Sequence, residues 1–140
     1  MNWRERLDAI VKKETTPPPM VATLRLPGVD GWEPGRAWVD WTVDPLMYSD
    51  NGNVFGGYIA TLVDSIGGLA MMTTLSDAEA FTTGNVNVSF LRPVVEGKVH
   101  IEGSVVHRGR RMGHVDVTFT DDKGRLLARG VVTQVVTPLD

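Results

Sequence analysis

Two periods divide the chain. Trp3, Leu7, Ile10 and Val11 recur at helical spacing among charges, and predict a short amphipathic helix. Pro17-Pro18-Pro19 is read as its end and as a stiff connector. Residues 21–26 are a candidate first strand, and Pro27-Gly28 and Pro34-Gly35 mark turns. Residues 37–43 alternate tryptophan and β-branched residues with polar ones, as a strand does. A loop over 44–53 contains the turn signal Asp50-Asn51-Gly52-Asn53. A long apolar helix is expected over 56–75. From residue 81 the period becomes two, and strands are expected over 81–91, 98–107, 111–120 and 125–137. Turns at 95–97, 108–110 and 121–124 separate them, the last a hairpin loop ending in Gly124.

This order of elements predicts an α+β domain, with four consecutive antiparallel strands forming a meander sheet. A single helix that is apolar almost all round needs cover on most of its surface. A curved sheet wrapped around it supplies that cover. The amphipathic helix occupies 1–16 and the single domain 20–140. No internal repeat or low-complexity segment is visible.

Composition narrows the chemistry. The 140 residues suit one domain, and 42% are hydrophobic, enough for a core. Fourteen basic residues face 17 acidic ones, a net charge of -3, so nucleic-acid binding by bulk electrostatics is not expected. There is no cysteine, which excludes disulfides, thiolate metal sites and cysteine nucleophiles. The start, Met1-Asn2-Trp3-Arg4-Glu5-Arg6, is charged where a secretion signal needs an apolar run. The longest apolar stretch, 54–75, carries a central aspartate and two Gly-Gly pairs, and reads as a buried helix rather than a membrane span. A cytoplasmic location and no membrane partner are expected.

That aspartate, Asp64, is the only charge between Asp50 and Asp77. A carboxylate in an apolar setting is expensive and calls for a reason. Its helical neighbours at three and four positions are Thr61, Ala60, Gly67 and Gly68, all small. They predict a bare surface that a substrate or a second backbone could approach. Two glycines inside a helix cost roughly 1 kcal/mol each relative to alanine. The competing account is a solvated aspartate at a helix bend, with the glycines serving helix–sheet packing. A second feature is Phe55-Gly56-Gly57 at the expected helix start. A helix N-terminus offers unpaired N–H groups and positive dipole character, and glycine permits close approach. Such a place can hold a developing oxyanion, or can simply be a helix start that needs flexibility. Gly56 and Asp64 are eight residues apart, about 12 Å along one helix at ~1.5 Å per residue. One carbonyl cannot touch both. A symmetric dimer removes the difficulty, because the Gly56 end of one copy can meet Asp64 of the other. A carboxylate and an oxyanion site, without a Ser-His pair, suit hydrolysis of an activated acyl group such as a thioester.

These residues, in order, resemble the hotdog-fold thioesterases of the phenylacetic-acid-degradation type, over about 38–137. That pattern has Asn or Gln, His-Gly-Gly six residues on, and Asp or Glu nine after the His. Here Ser49 stands at the first position, Phe55-Gly56-Gly57 at the second, and Asp64 at the third. Ser89-Phe90-Leu91-Arg92-Pro93, Gly97, His107-Arg108-Gly109-Arg110 and Gly124 to Gly130 continue the likeness. The resemblance implies a hotdog fold and an acyl-CoA thioesterase working as a homodimer or homotetramer, with no cofactor beyond the coenzyme A of its substrate. By the same resemblance Asp64 activates water or attacks the carbonyl, and the Gly56 amide polarises that carbonyl. Ser49 completes the catalytic set. Phe55, Gly57, Thr83, Asn85 and Phe90 line the groove, with Thr83 and Asn85 near the chemistry. Arg108, Gly109, Arg110, Arg111 and Met112 contact coenzyme A, the arginines suiting its phosphates; the competing account is an ordinary charged hairpin. Phe55 and Ser49 depart from the pattern: phenylalanine cannot hydrogen-bond, and serine is shorter than Asn or Gln. Both departures suit a second class, an acyl-CoA-binding module without turnover. A dehydratase on this fold needs a histidine near the aspartate, and none is near in sequence. His100, His107 and His114, seven apart, are expected on separate strands with neighbouring members on opposite faces, so no metal site is expected. Trp32, Trp38, Trp41, Met71 and Met72 are read first as packing.

Overall fold

The computed structural model describes residues 2–139. Helix α1, Trp3–Lys12, opens with a reciprocal cap: Asn2 Oδ1 accepts from the Glu5 amide at 2.8 Å, and the Glu5 carboxylate accepts from the Asn2 amide at 3.2 Å. It closes at Lys13, which takes the left-handed conformation. The proline run therefore does not end α1. Instead Pro19 begins a second short helix, α2, Pro19–Thr23, where the sequence suggests a strand. Proline at a first helical position wastes no N–H, and the Thr23 hydroxyl closes the turn on the Pro19 carbonyl at 3.1 Å. A three-residue strand, β1, Gly31–Glu33, was not predicted. It pairs with β2, Arg36–Thr42, through the Pro34-Gly35 turn, with Gly35 at φ 85°.

The apolar helix α3 runs Gly56–Met72. It stops short of Leu75 because the Thr73 and Thr74 hydroxyls donate back to the Ala70 and Met71 carbonyls, at 2.7 and 2.8 Å. Four long strands follow: β3 Glu79–Phe90, β4 Lys98–Arg108, β5 Met112–Thr120 and β6 Leu126–Pro138. All pairings are antiparallel and the order is β1-β2-β4-β5-β6-β3. Only β4-β5-β6 is a meander. β3 leaves its expected neighbour β4 and pairs with β6, and β4 pairs with β2. Packing explains the exchange. Val99 and Ile101 of β4 sit opposite Trp41 and Val39 of β2, and all four are buried. Val86 of β3 sits opposite the buried Val132 of β6.

The sheet curves around α3. Tyr58, Leu62, Val63, Ile66, Ala70 and Met71 are buried against its inner face, with Val115, Val117 and Phe119. The approach is close. A Cβ at Gly103 would lie 2.9 Å from the Ala70 Cβ, and one at Gly67 would lie 2.9 Å from Val132. Glycines on both layers thus set the helix–sheet distance. Among the described residues, no helix is long and apolar enough to cross a membrane.

Candidate active site

Asp64 lies on the flank of α3 that faces β3, and it is exposed in the single chain. Its Oδ1 accepts from the Thr83 hydroxyl at 2.8 Å. Thr83 Oγ1 is also 3.1 Å from Oε1 of Gln134. Gln134 is fully buried, and its Nε2 has no partner. The small residues around Asp64 divide. Gly67 packs on Val132, and Gly68 lies 3.5 Å, at its Cβ position, from the Phe81 ring. These two serve packing, as the competing sequence account held. Ala60, Thr61 and Gly68 remain partly exposed, so the bare surface expected around Asp64 is closed at Gly67.

At the start of α3, Phe55 is the cap residue, with extended backbone and no side-chain hydrogen bond to the helix. The Tyr58 and Ile59 amides turn back to the Phe55 carbonyl. Among the described residues, no acceptor meets the Gly56 or Gly57 amide. A side chain at either glycine would press on an exposed phenylalanine ring. A Cβ on Gly56 would be 3.1 Å from the Phe90 ring, and one on Gly57 would be 2.8 Å from the Phe55 ring. Beside Gly56 opens a cleft of about 390 Å³ walled by Asn53, Ile59, Phe90, Leu91 and Arg92. Gly56, one of two unpaired donors at a positive helix end, thus borders the cleft.

The other residues singled out by sequence fall in three places. Ser49 closes its own turn: its amide donates to the Asn53 carbonyl at 2.7 Å, its Oγ accepts from the Asn51 amide and lies 3.3 Å from Asn53 Oδ1. Asn53, not Ser49, reaches the cleft. Asn85 is separated from Thr83 by a bulge at Gly84. Thr83 pairs with Gln134, but Asn85 pairs with Thr133. Adjacent β6 positions face opposite sides, so Asn85 sits on the outer face, away from Asp64.

The third place is the β4–β5 hairpin. Arg108 points inward to Glu79 at 2.7 Å and to the Thr74 hydroxyl at 3.2 Å. The Glu79 carboxyl is held below the usual range by the Ser76 amide and then by Arg108. Arg110 and Arg111 are exposed and form no ion pair among the described residues. Gly109 donates to the Met112 carbonyl at 2.8 Å, and Met112 is exposed. The histidines differ from expectation. His100 and His107 share β4, and a bulge after Val105 brings His107 opposite His114 on the outer face, ring centres 5.9 Å apart. Among the described residues no group of three or more His, Asp or Glu side chains is arranged to hold a metal ion.

Gln134 escaped the sequence reading. Its only signal was position: it stands in step with Val132 and Val136 on the inward face of β6, where a polar residue needs a partner.

With this geometry in place, the comparisons are informative. The model of the Thioesterase superfamily matches residues 51–128, which span the glycine pair, Asp64, Thr83 and the β4–β5 hairpin. A Saccharolobus solfataricus protein named as a candidate esterase is 33% identical over 99 residues, 71% of this chain and 70% of its own length. The proofreading thioesterase EntH of Klebsiella pneumoniae is 26% identical over 125 residues, 89% of this chain and 90% of its own. The crystal structure of smu.793 from Streptococcus mutans, bound to acetyl CoA, superposes with a TM-score of 0.72 at 31% identity, over 78% of this chain and 86% of that one.

Proposed function

This chain belongs to the thioesterase superfamily, and from that premise we propose that it hydrolyses an acyl-CoA thioester to the free acid and CoA. The observation that carries the reading is the pair of features on α3: an open carboxylate at Asp64, oriented by Thr83, and unpaired amides at Gly56 and Gly57. In this reaction the thioester carbonyl oxygen rests on the Gly56 amide. As base, Asp64 takes a proton from water, and the water oxygen bonds to the acyl carbon. Negative charge gathers on the carbonyl oxygen. Collapse breaks the C–S bond, and the proton passes from Asp64 to the departing thiolate. As nucleophile, an Asp64 oxygen bonds to the acyl carbon and the C–S bond breaks to release the CoA thiolate; water then cleaves the mixed anhydride, returning the Asp64 carboxylate and the free acid, and the proton released passes to the thiolate. The acetyl-CoA-bound neighbour supports a CoA-type leaving group, and Arg110 and Arg111 are the free cations suited to its phosphates. By motif order we assign it to the phenylacetic-acid-degradation type.

The proposed site needs two copies, because Gly56 and Asp64 stand about 12 Å apart on one helix. β3 supports this. It is an edge strand of 12 residues, paired among the described strands with β6 alone, and its open side is a template for a second β3. A two-fold pairing there brings Asp64 of one copy toward Gly56 of the other.

One rival reading has an observation of its own. Phe55 cannot hydrogen-bond, and Ser49 is committed to its turn, as suits a module that binds acyl-CoA without cleaving it. Release of free thiol from a panel of aryl and aliphatic acyl-CoAs separates the two. Turnover by the wild type that Asp64→Asn abolishes is expected. Tight binding without turnover establishes the rival instead.

A further inference from the structure

A hydroxyl carries one hydrogen, yet Thr83 Oγ1 faces two oxygens: Asp64 Oδ1 at 2.8 Å and Gln134 Oε1 at 3.1 Å. An ionised carboxylate only accepts, so the Thr83 hydrogen belongs to Asp64. Gln134 Oε1 then faces a lone pair, while its Nε2, fully buried, has nothing to donate to. The oxygen and nitrogen of a glutamine amide have nearly the same shape, and the surrounding hydrogen bonds decide which is which. Turning the Gln134 amide by half a revolution removes the oxygen–oxygen contact and gives Nε2 an acceptor. A directed chain results: Gln134 N–H to Thr83 Oγ1, and Thr83 O–H to Asp64 Oδ1.

We propose that Gln134 is a positioning residue for the active-site carboxylate, acting from the core through Thr83. The inference rests on the functional reading of Asp64 given above. Its physical content is directional. With Gln134 donating, one Thr83 lone pair is occupied and its hydrogen is turned away from Gln134, toward Asp64. Without that donor the hydroxyl is free to rotate, and the carboxylate loses a fixed orientation. The strand register supports the arrangement. Thr83 and Gln134 are direct cross-strand partners of β3 and β6, at the point where the Gly84 bulge begins. The bulge keeps Thr83 facing inward while the following residues take the opposite alternation. β3 is also the open edge of the sheet, so Gln134 ties the flank of Asp64 to a strand with neighbours on both sides.

The test combines kinetics with an observation that needs no turnover. Gln134→Met keeps the shape and removes the donor. It should lower kcat by about 10-fold to 100-fold with KM little changed. Gln134→Glu offers a donor only while its carboxyl is protonated, so its activity relative to wild type should fall as pH rises. Independently, in 15N-labelled full-length protein, the Gln134 side-chain amide signal, assigned by its loss in Gln134→Met, should move in Asp64→Asn and in Thr83→Val. A folded Gln134→Met with wild-type kcat and pH profile overturns the proposal, and so does an amide signal indifferent to Asp64→Asn. If the wild type cleaves no thioester, the functional reading fails, and the amide signal still decides whether the relay exists.

Discussion

At Gly56 the useful groups are backbone amides; eight residues along the same helix, at Asp64, the useful group is a side chain. The surroundings differ accordingly. The Gly56 end is defined by closeness: the Phe90 and Phe55 rings crowd the two glycines, and the amides are left bare. The Asp64 flank is defined by engagement: a hydroxyl holds the carboxylate, and a buried amide stands behind the hydroxyl. The contrast has a physical root. Helix amides are placed by the helix itself, so sterics alone can preserve them. A carboxylate on a flexible stem must be oriented by partners.

Two substitutions sharpen this contrast. Asp64→Asn keeps the hydrogen bond from Thr83 but removes the base, and should lower kcat/KM by about 10²–10⁴-fold. Gly56→Val pushes against Phe90 and displaces the amide, with an expected loss of about 10²–10³-fold. Steady-state thiol release measures both. The two ends should also differ in kind. The loss at Asp64 should resist repair elsewhere, whereas Gly56→Val should recover in part when Phe90→Ala relieves the collision.

How much of this was legible in the chain depends on what each residue needed. Asp64 stood out because it is the lone charge in an apolar helix, and Gly56-Gly57 because glycine at an expected helix start allows close approach to unpaired amides. The individual strands followed from alternation. The order of the strands did not, because β3 and β6 pair across 38 to 59 residues of sequence, and local pattern carries no record of that partner. The same gap hid Gln134, whose meaning depends on Thr83 lying opposite. The Gly84 bulge turned Asn85 away from the site, since one extra residue reverses the alternation. The strand expected over 21–26 failed where Pro19 favoured a helical turn.

A smaller prediction concerns the outer face, far from both ends of the site. His100 lies between Asp40 at 2.9 Å and Glu102 at 3.1 Å. Burial pulls its pKa down, but the hydrogen bonds to Asp40 and Glu102 outweigh burial, and the net shift is upward. A raised folded pKa contributes stability that is fully present below the unfolded value, about 6.5, and that is lost as pH rises through the folded value. The urea midpoint should therefore drop slightly on going from about pH 6 to about pH 8. His100→Gln should remove this part of the drop while leaving thiol release unchanged.

The central claim is that the two ends cooperate across a pair of chains. Asp64→Asn and Gly56→Val, each inactive alone, test it when mixed and allowed to exchange subunits. A two-chain site leaves one intact site in every mixed dimer, formed by Asp64 of the Gly56→Val chain and Gly56 of the Asp64→Asn chain. Random exchange should then restore about one quarter of wild-type activity. A mixture no more active than its two components would contradict the account.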